Sequence, residues 1–112
     1  MLKVLFVCGR NKRRSPTAEA IFRDDPRLNV RSGGTSQTSA RRVTQKDLEW
    51  ASLICVMEPK YEARLRANFT ELEKWPEFKC LNIPDEYERI APELVVLLKS
   101  EIDVLLEDLG SD

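Results

Sequence analysis

The segment VLFVCGRNKRRSPTAEAIF, residues 4–22, decides how this chain folds. It begins with a continuous apolar run that ends in Cys8, which is typical of a strand buried on both faces of a parallel sheet. Four of the next six residues are Arg or Lys. Ser15-Pro16 then opens a helical pattern, because Ser is a favoured N-cap and Pro suits the first helical turn. The segment therefore predicts a strand, a cationic loop that carries a thiol, and a helix.

Strands and helices alternate along the rest of the chain. Short apolar runs predict four strands, over residues 2–7, 28–31, 53–57 and 79–83. Each predicted helix begins at a capping residue or next to a proline, at Ser15, Thr44, Pro59 and Ala91. The last helix is predicted to bury a stripe of Val95, Leu98, Ile102, Leu105 and Leu109. The order βαβαβαβα predicts a single α/β domain over residues 1–112, with three layers around a four-stranded parallel sheet.

The composition is that of a folded protein, because 42% of the 112 residues are hydrophobic. A formal net charge of -1 argues against a protein whose main partner is a polyanion such as nucleic acid. The chain has no apolar run long enough to cross a membrane. Its apolar N-terminal run is too short for a signal peptide. We therefore expect a cytoplasmic protein that binds no membrane, and nucleic acid is not an expected partner.

Three cysteines and no histidine restrict the chemistry of the chain. Cys8, Cys55 and Cys80 are odd in number, lack a CxxC spacing and are too few for a zinc site. Cys55 and Cys80 lie in predicted strands, so we expect both in the core. The absence of histidine removes Ser-His-Asp and Cys-His catalysis. We expect no metal or other cofactor, and a nucleophile activated by cations, backbone N–H groups or a helix N-terminus.

The loop after Cys8 has the residues of an oxyanion site. A turn from a strand into a helix directs backbone N–H groups and the helix dipole at one point. Arg14 offers a planar fork that matches two oxygens of a tetrahedral anion. This positive surrounding favours the nucleophilic thiolate form of Cys8. An inert buried cysteine beside a solvated basic turn is the ordinary alternative, but the strand–loop–helix setting favours a site. The predicted phosphate-binding residues are Gly9, Arg10, Asn11, Lys12, Arg13, Arg14 and Ser15.

The stretch VCGRNKRRSPTAE resembles the phosphate loop of the low-molecular-weight protein tyrosine phosphatases, whose pattern is V-C-x-x-N-x-x-R-S-P-x-A-E. The segments RSGGT (31–35), DLEWASLICVM (47–57) and IPDEY (83–87) are similar to further motifs of that family. The resemblance implies a flavodoxin-like fold of the family's type. It also implies a role for each matching residue: Cys8 as nucleophile, Arg14 as transition-state clamp, Asp85 as general acid, Ser15 as thiolate partner and Asn11 as loop stabiliser.

Several residues depart from the family pattern. Glu86 stands where the family has Pro, and Glu88 stands where it has a second Tyr, so the acid loop is less rigid and more negative. Tyr87 remains as an expected wall for the substrate. Arg13 stands where many relatives have a second cysteine, and the chain is shorter, mostly between Thr35 and Arg41. The resemblance therefore implies the chemistry more firmly than the substrate.

The leading interpretation is a metal-independent phosphomonoesterase that works through a phosphocysteine on Cys8. Its expected substrate is a phosphotyrosine protein or a small phosphomonoester, and its product is inorganic phosphate. An arsenate reductase is one alternative, but it needs further thiols to relay a disulfide. A non-catalytic module that recognises phosphate or phosphoprotein is a second alternative, and a turnover assay separates it from an enzyme.

Overall fold

The structure, a computed structural model, describes residues 1–110. Its strands are β1 (Leu2–Cys8), β2 (Leu28–Gly34), β3 (Leu53–Val56) and β4 (Glu77–Cys80). Its helices are α1 (Arg14–Phe22), α2 (Gln45–Trp50), α3 (Pro59–Asn68) and α4 (Pro92–Gly110). The predicted alternation of strands and helices is therefore confirmed.

The four strands form one parallel sheet in the order β2-β1-β3-β4, which confirms the predicted fold class. Helix α1 packs against α4, so these two helices share one face of the sheet. Right-handed crossovers place α2 and α3 on the other face. The central strand β1 is buried over residues 4–7, because helices cover it on both sides. From β1 the chain moves to β2 on one side and then to β3 on the other, and such reversals of strand order are where these sheets bind ligands.

The fourth strand begins and ends earlier than predicted. The sequence predicts it over residues 79–83, but β4 covers Glu77–Cys80. Leu81 and Ile83 are buried, and their N–H groups still donate to the carbonyls of the last residue of β3 and the residue after it, at 2.9 and 2.8 Å. Asn82 between them has a φ of 54°, which interrupts the regular strand. The apolar pattern therefore predicts correctly that these residues are buried, although the regular strand ends at Cys80.

The helix termini also differ from the predictions. Helix α1 starts at Arg14, and no side chain caps it, so Ser15 lies in its first turn and is not its N-cap. At α2 the predicted capping box between Thr44 and Asp47 is confirmed.

In α4 the buried stripe is partly different from the predicted one. It contains Leu94 in place of Val95 and then the predicted Leu98, Ile102 and Leu105. Leu109 is 48% exposed. A 19-residue helix is about 28 Å long, whereas the longest strands have seven residues and span about 23 Å, so the helix is longer than the sheet.

The expectation for the cysteines of the strands is correct for Cys55 only. Cys55 is fully buried in β3, and burial raises the pKa of its thiol to about 12. Cys80 is the last residue of the edge strand β4 and is half-buried, with its thiol donating to Asn82 Oδ1 at 3.2 Å. Among the helices in residues 1–110, none combines the length and apolarity needed to cross a membrane. The cytoplasmic location stays a prediction.

Candidate active site

The loop between β1 and α1 has a backbone suited to an anion. The carbonyl groups of Cys8, Gly9 and Arg10 accept hydrogen bonds of 2.9 to 3.1 Å from backbone N–H groups of the segment 35–40. In a trans peptide the following N–H points the opposite way from the carbonyl, so the next three N–H groups point away from that segment. Within residues 1–110, no protein atom accepts a hydrogen bond from the N–H groups of residues 9–13. The loop therefore presents a set of unpaired backbone donors, as an oxyanion site requires.

Asn11 holds this loop in shape. Its φ is 55°, in the left-handed region that Asn tolerates better than most residues. Its Nδ2 donates to Ser15 Oγ at 2.9 Å and to Ser32 Oγ at 3.0 Å. Ser32 donates in turn to Glu19 Oε1 at 2.7 Å. The loop is thus tied to β2 and α1 by buried polar side chains.

The same network orients a donor towards the sulfur of Cys8. Ser15 Oγ lies 2.9 Å from Cys8 Sγ. Because Asn11 already donates to Ser15, the single hydroxyl proton of Ser15 is free for the sulfur, and its other acceptor, Gly33 O, is distant at 3.5 Å. A donor in this position stabilises negative charge on the sulfur. Because α1 begins at Arg14, the Ser15 hydroxyl does not cap the helix and can donate to the Cys8 sulfur.

Arg14 is fixed by three groups of the protein. Its side chain is buried, and its Nη1 donates to Glu58 Oε2 at 2.6 Å and to Ile83 O at 2.7 Å. Its Nη2 donates to the Tyr61 hydroxyl at 2.7 Å. A guanidinium has five N–H donors, so the Nε–H and one Nη2–H remain. These two lie on the same edge of the fork, which is the edge that binds an oxyanion through two oxygens.

Glu58 and Tyr61 are site residues that the sequence analysis missed. The sequence analysis assigned no role to either residue. The hydrogen bond from Arg14 lowers the pKa of Glu58, whereas burial raises the pKa of Tyr61. Burial opposes the charge of Arg14, but the hydrogen bond to Glu58 raises its pKa overall. The Glu58–Arg14 pair is therefore present at neutral pH and is lost only as pH falls through the lowered pKa of Glu58.

A cavity of about 330 Å³ lies over the loop and joins most of the predicted residues. It is lined by Cys8, Gly9, Arg10, Lys12, Arg13, Arg14, Tyr61 and Asp85. Asn11 and Ser15 are buried and do not line the cavity. A larger groove of about 600 Å³ runs from α2 to the segment before β4 and includes no loop residue.

The loop between β4 and α4 contributes Asp85 to the cavity wall. The Asp85 side chain is 60% exposed, and its Oδ1 lies 3.9 Å from Arg14 Nε, so the carboxyl group faces the unused edge of the guanidinium. The loop ends at Ile90, whose N–H donates to Thr17 Oγ1 at 3.0 Å. Tyr87 instead lines a shallow apolar groove on α4, and the aromatic ring in the cavity wall is that of Tyr61. The wall role expected of Tyr87 has no support in this geometry and stays a prediction.

Gly34 gives a first test of how the loop is supported. A Cβ at Gly34 would press on Ser39 Oγ and lie 2.8 Å from the carbonyl oxygen of Gly9. We expect Gly34→Ala to destabilise the protein by about 1–3 kcal/mol and to lower its affinity for phosphate, because the loop backbone must shift. At Gly33 the added Cβ would press on Val43 instead. Gly33→Ala should therefore cost stability without loss of phosphate affinity, and equal affinities for the two variants would contradict this account.

Comparisons with known proteins agree with this site. Residues 3–53 match the low molecular weight phosphotyrosine protein phosphatase family, a range that includes the whole loop. No curated protein matches the chain in sequence. The resemblance recognised in the sequence is thereby confirmed over residues 3–53, and it indicates a cysteine-based phosphatase.

Three solved structures share the fold over almost the whole chain. A low molecular weight protein tyrosine phosphatase from Streptococcus pyogenes is 20% identical with a TM-score of 0.78, and the match covers 97% of this chain and 93% of that one. A low molecular weight phosphotyrosine phosphatase from Vibrio cholerae is 25% identical with a TM-score of 0.74, covering 99% and 98%. An arginine phosphatase from Geobacillus stearothermophilus is 18% identical with a TM-score of 0.68, covering 100% and 98%.

Proposed function

Because residues 3–53 belong to the low molecular weight phosphotyrosine protein phosphatase family, we propose that the chain, as a single domain, hydrolyses phosphomonoesters through a phosphocysteine on Cys8. The observation that carries the proposal is the cavity in which the Cys8 thiol, the open edge of Arg14 and the unpaired loop N–H groups meet. A related arginine phosphatase, with serine in place of the active-site cysteine, has been solved with that serine phosphorylated. This supports transfer of the phosphoryl group to the residue at the Cys8 position.

In the first step the Cys8 thiolate attacks phosphorus in line with the leaving oxygen. The S–P bond forms as the P–O bond to the leaving group breaks. Arg14 and the loop N–H groups hold the three equatorial oxygens, whose charge they stabilise. Protonated Asp85 gives its proton to the leaving oxygen, so the alcohol or phenol departs neutral.

In the second step the Asp85 carboxylate takes a proton from a water molecule. The resulting oxygen nucleophile attacks phosphorus and the S–P bond breaks. The electron pair returns to Cys8 as thiolate, and the hydrogen bond from Ser15 at 2.9 Å stabilises that leaving group. Inorganic phosphate leaves, and Asp85 is again protonated for the next cycle.

The choice of substrate is best tested with a panel of esters. The family and two of the similar structures favour phosphotyrosine, while a third is an arginine phosphatase. We propose phosphotyrosine in proteins as the principal substrate, because a phenol is a leaving group that one general acid can protonate. Rates of phosphate release from aryl, alkyl, phosphotyrosine, phosphoarginine and nucleotide substrates should be measured with and without a chelator. Binding of phosphate or vanadate with no hydrolysis of any ester would instead support a recognition module.

The Asp85→Asn variant tests the general-acid role through its dependence on the leaving group. A general acid helps most when the leaving group is a poor one. Asp85→Asn should therefore lower kcat/KM, which reports the steps up to loss of the leaving group, by about 10²-fold for phosphotyrosine or an alkyl phosphate and much less for an activated nitrophenyl ester. Glu86→Gln is a matched control in the next residue. Equal losses on all esters, or a loss confined to Glu86→Gln, would remove the acid role from Asp85.

Oxidation gives a further expected result. The Cys8 thiol lines the cavity, and Arg13 stands where a second cysteine could have formed a disulfide with it. Cys55 lies on the neighbouring strand β3 and pairs with Phe6, two residues before Cys8. The Cα atoms of Cys8 and Cys55 are therefore about 8 Å apart, which is too far for a disulfide. We expect peroxide to inactivate the enzyme, added thiol to rescue it only before the sulfinic stage, and bound phosphate to protect it. Mass spectrometry after limiting peroxide measures this, and a disulfide from Cys8 to Cys55 or Cys80 in good yield would contradict it and revive an arsenate reductase.

A further inference from the structure

Four cationic side chains surround one side of the cavity. Arg10, Lys12 and Arg13 line the cavity and are exposed. Arg64, on the exposed face of α3, has its guanidinium carbon 5.5 Å from the centre of the Tyr61 ring, and that ring is itself part of the cavity wall. These four side chains are called the cationic rim below.

The rim is not neutralised by the rest of the protein. Within residues 1–110, no carboxylate lies in ion-pair contact with any of its four members. The chain has 19 acidic residues and a net charge of -1, so carboxylates are plentiful. Three nearby carboxylates face other cations: Glu58 and Asp85 lie in ion-pair contact with Arg14, and Glu62 with Arg66. The unpaired charge is therefore concentrated at the cavity mouth of an otherwise balanced protein.

One phosphoryl group does not account for this charge. The loop N–H groups and Arg14 already supply the donors that its oxygens need. Arg64 is exposed beside the Tyr61 ring, which is only 3% exposed, and it does not itself line the cavity. A cation placed there meets the parts of a substrate next to the phosphate and not the phosphate itself.

We propose that the cationic rim binds acidic side chains that flank the phosphorylated residue of a protein substrate. This inference rests on the proposed function and narrows its substrate to acidic phosphopeptide segments. A nucleic acid fits less well, because a single strand needs exposed rings on which bases stack. The aromatic ring of this cavity is buried, and the rim is a short arc around one opening rather than a stripe along the surface.

Matched phosphotyrosine peptides test the proposal. One peptide carries glutamates beside the phosphotyrosine and the other carries lysines, and KM and kcat are measured for both. We expect the acidic peptide to have a KM about tenfold lower, with similar kcat, and the difference to shrink as ionic strength rises. Arg64→Glu should reduce the preference at least about threefold. Arg23→Glu, the same change at the far end of α1, should leave the preference as it is.

Direct binding separates the failure of this inference from the failure of the proposed function. Anisotropy of the labelled peptides with the Cys8→Ser variant measures affinity without turnover, so the rim is tested whether or not the wild-type protein hydrolyses them. Hydrolysis of both peptides with equal KM and equal affinity would overturn the rim proposal and leave the phosphatase proposal intact. A preference that survives both Arg64→Glu and high salt would also overturn it. Tighter binding of a 5′-phosphorylated oligonucleotide than of the acidic peptide would assign the rim to nucleic acid instead.

Discussion

The Cys8→Ser variant is expected to lose about 10⁴-fold or more in kcat while it retains affinity for phosphate. The serine hydroxyl is a far weaker nucleophile than a thiolate, and no histidine exists in the chain to activate it. Phosphate affinity should survive because Arg14 and the loop N–H groups are unchanged. Steady-state kinetics gives the first quantity, and isothermal titration with phosphate or vanadate gives the second.

Cys80→Ser is the matched control for this experiment. Cys80 is half-buried at the end of the edge strand and lies outside the cavity, so we expect nearly full activity. Thermal unfolding of both variants shows whether each is folded. If Cys8→Ser is unstable, alkylation of the wild-type thiol with and without bound phosphate tests the same point. Substantial turnover by folded Cys8→Ser would exclude Cys8 as the nucleophile.

The Arg14→Lys variant is expected to have the second largest effect, a fall of about 10³-fold in kcat/KM. An ammonium group has three donors on one nitrogen and cannot present a two-point edge to an oxyanion. It also cannot replace the bonds from Arg14 to Glu58, Ile83 and Tyr61, so we expect a lower melting temperature as well.

Glu58→Gln separates the structural role of Arg14 from its catalytic role. Glutamine retains an acceptor for Nη1 but removes the charge, so the guanidinium stays in place less firmly. We expect a loss of stability similar to that of Arg14→Lys, but only about a tenfold loss in kcat/KM. Arg14→Lys with more than a tenth of wild-type activity would contradict a bidentate clamp.

The sequence was most informative where one local pattern determines the structure. The apolar run, the cationic turn and Ser-Pro are neighbours in the chain, so strand, loop and helix could be predicted together. The fold class followed from the regular alternation of strands and helices. The Thr44–Asp47 capping box was predictable for the same reason, since its two partners are three residues apart.

The sequence was less informative where distant segments meet. Glu58 follows β3 and is 44 residues from Arg14, so only the sheet order shows that the two form an ion pair. Tyr61 recurs with Leu65 at a helical spacing that indicates a buried face, but only the structure shows that its hydroxyl binds Arg14. The position of Arg64 beside the cavity could not be predicted either, because it follows from where α3 packs.

The central claim, that catalysis proceeds through a phosphocysteine on Cys8, is tested most directly by trapping the intermediate. Wild-type enzyme is mixed with an aryl phosphate, quenched in acid during turnover, digested and examined by mass spectrometry. The account predicts one phosphoryl group on the peptide that contains Cys8, together with a burst of phenol release equal to the enzyme concentration. A phosphoryl group on another residue would contradict it. So would turnover by the Asp85→Asn variant, in which dephosphorylation is slowed, with neither an adduct nor a burst.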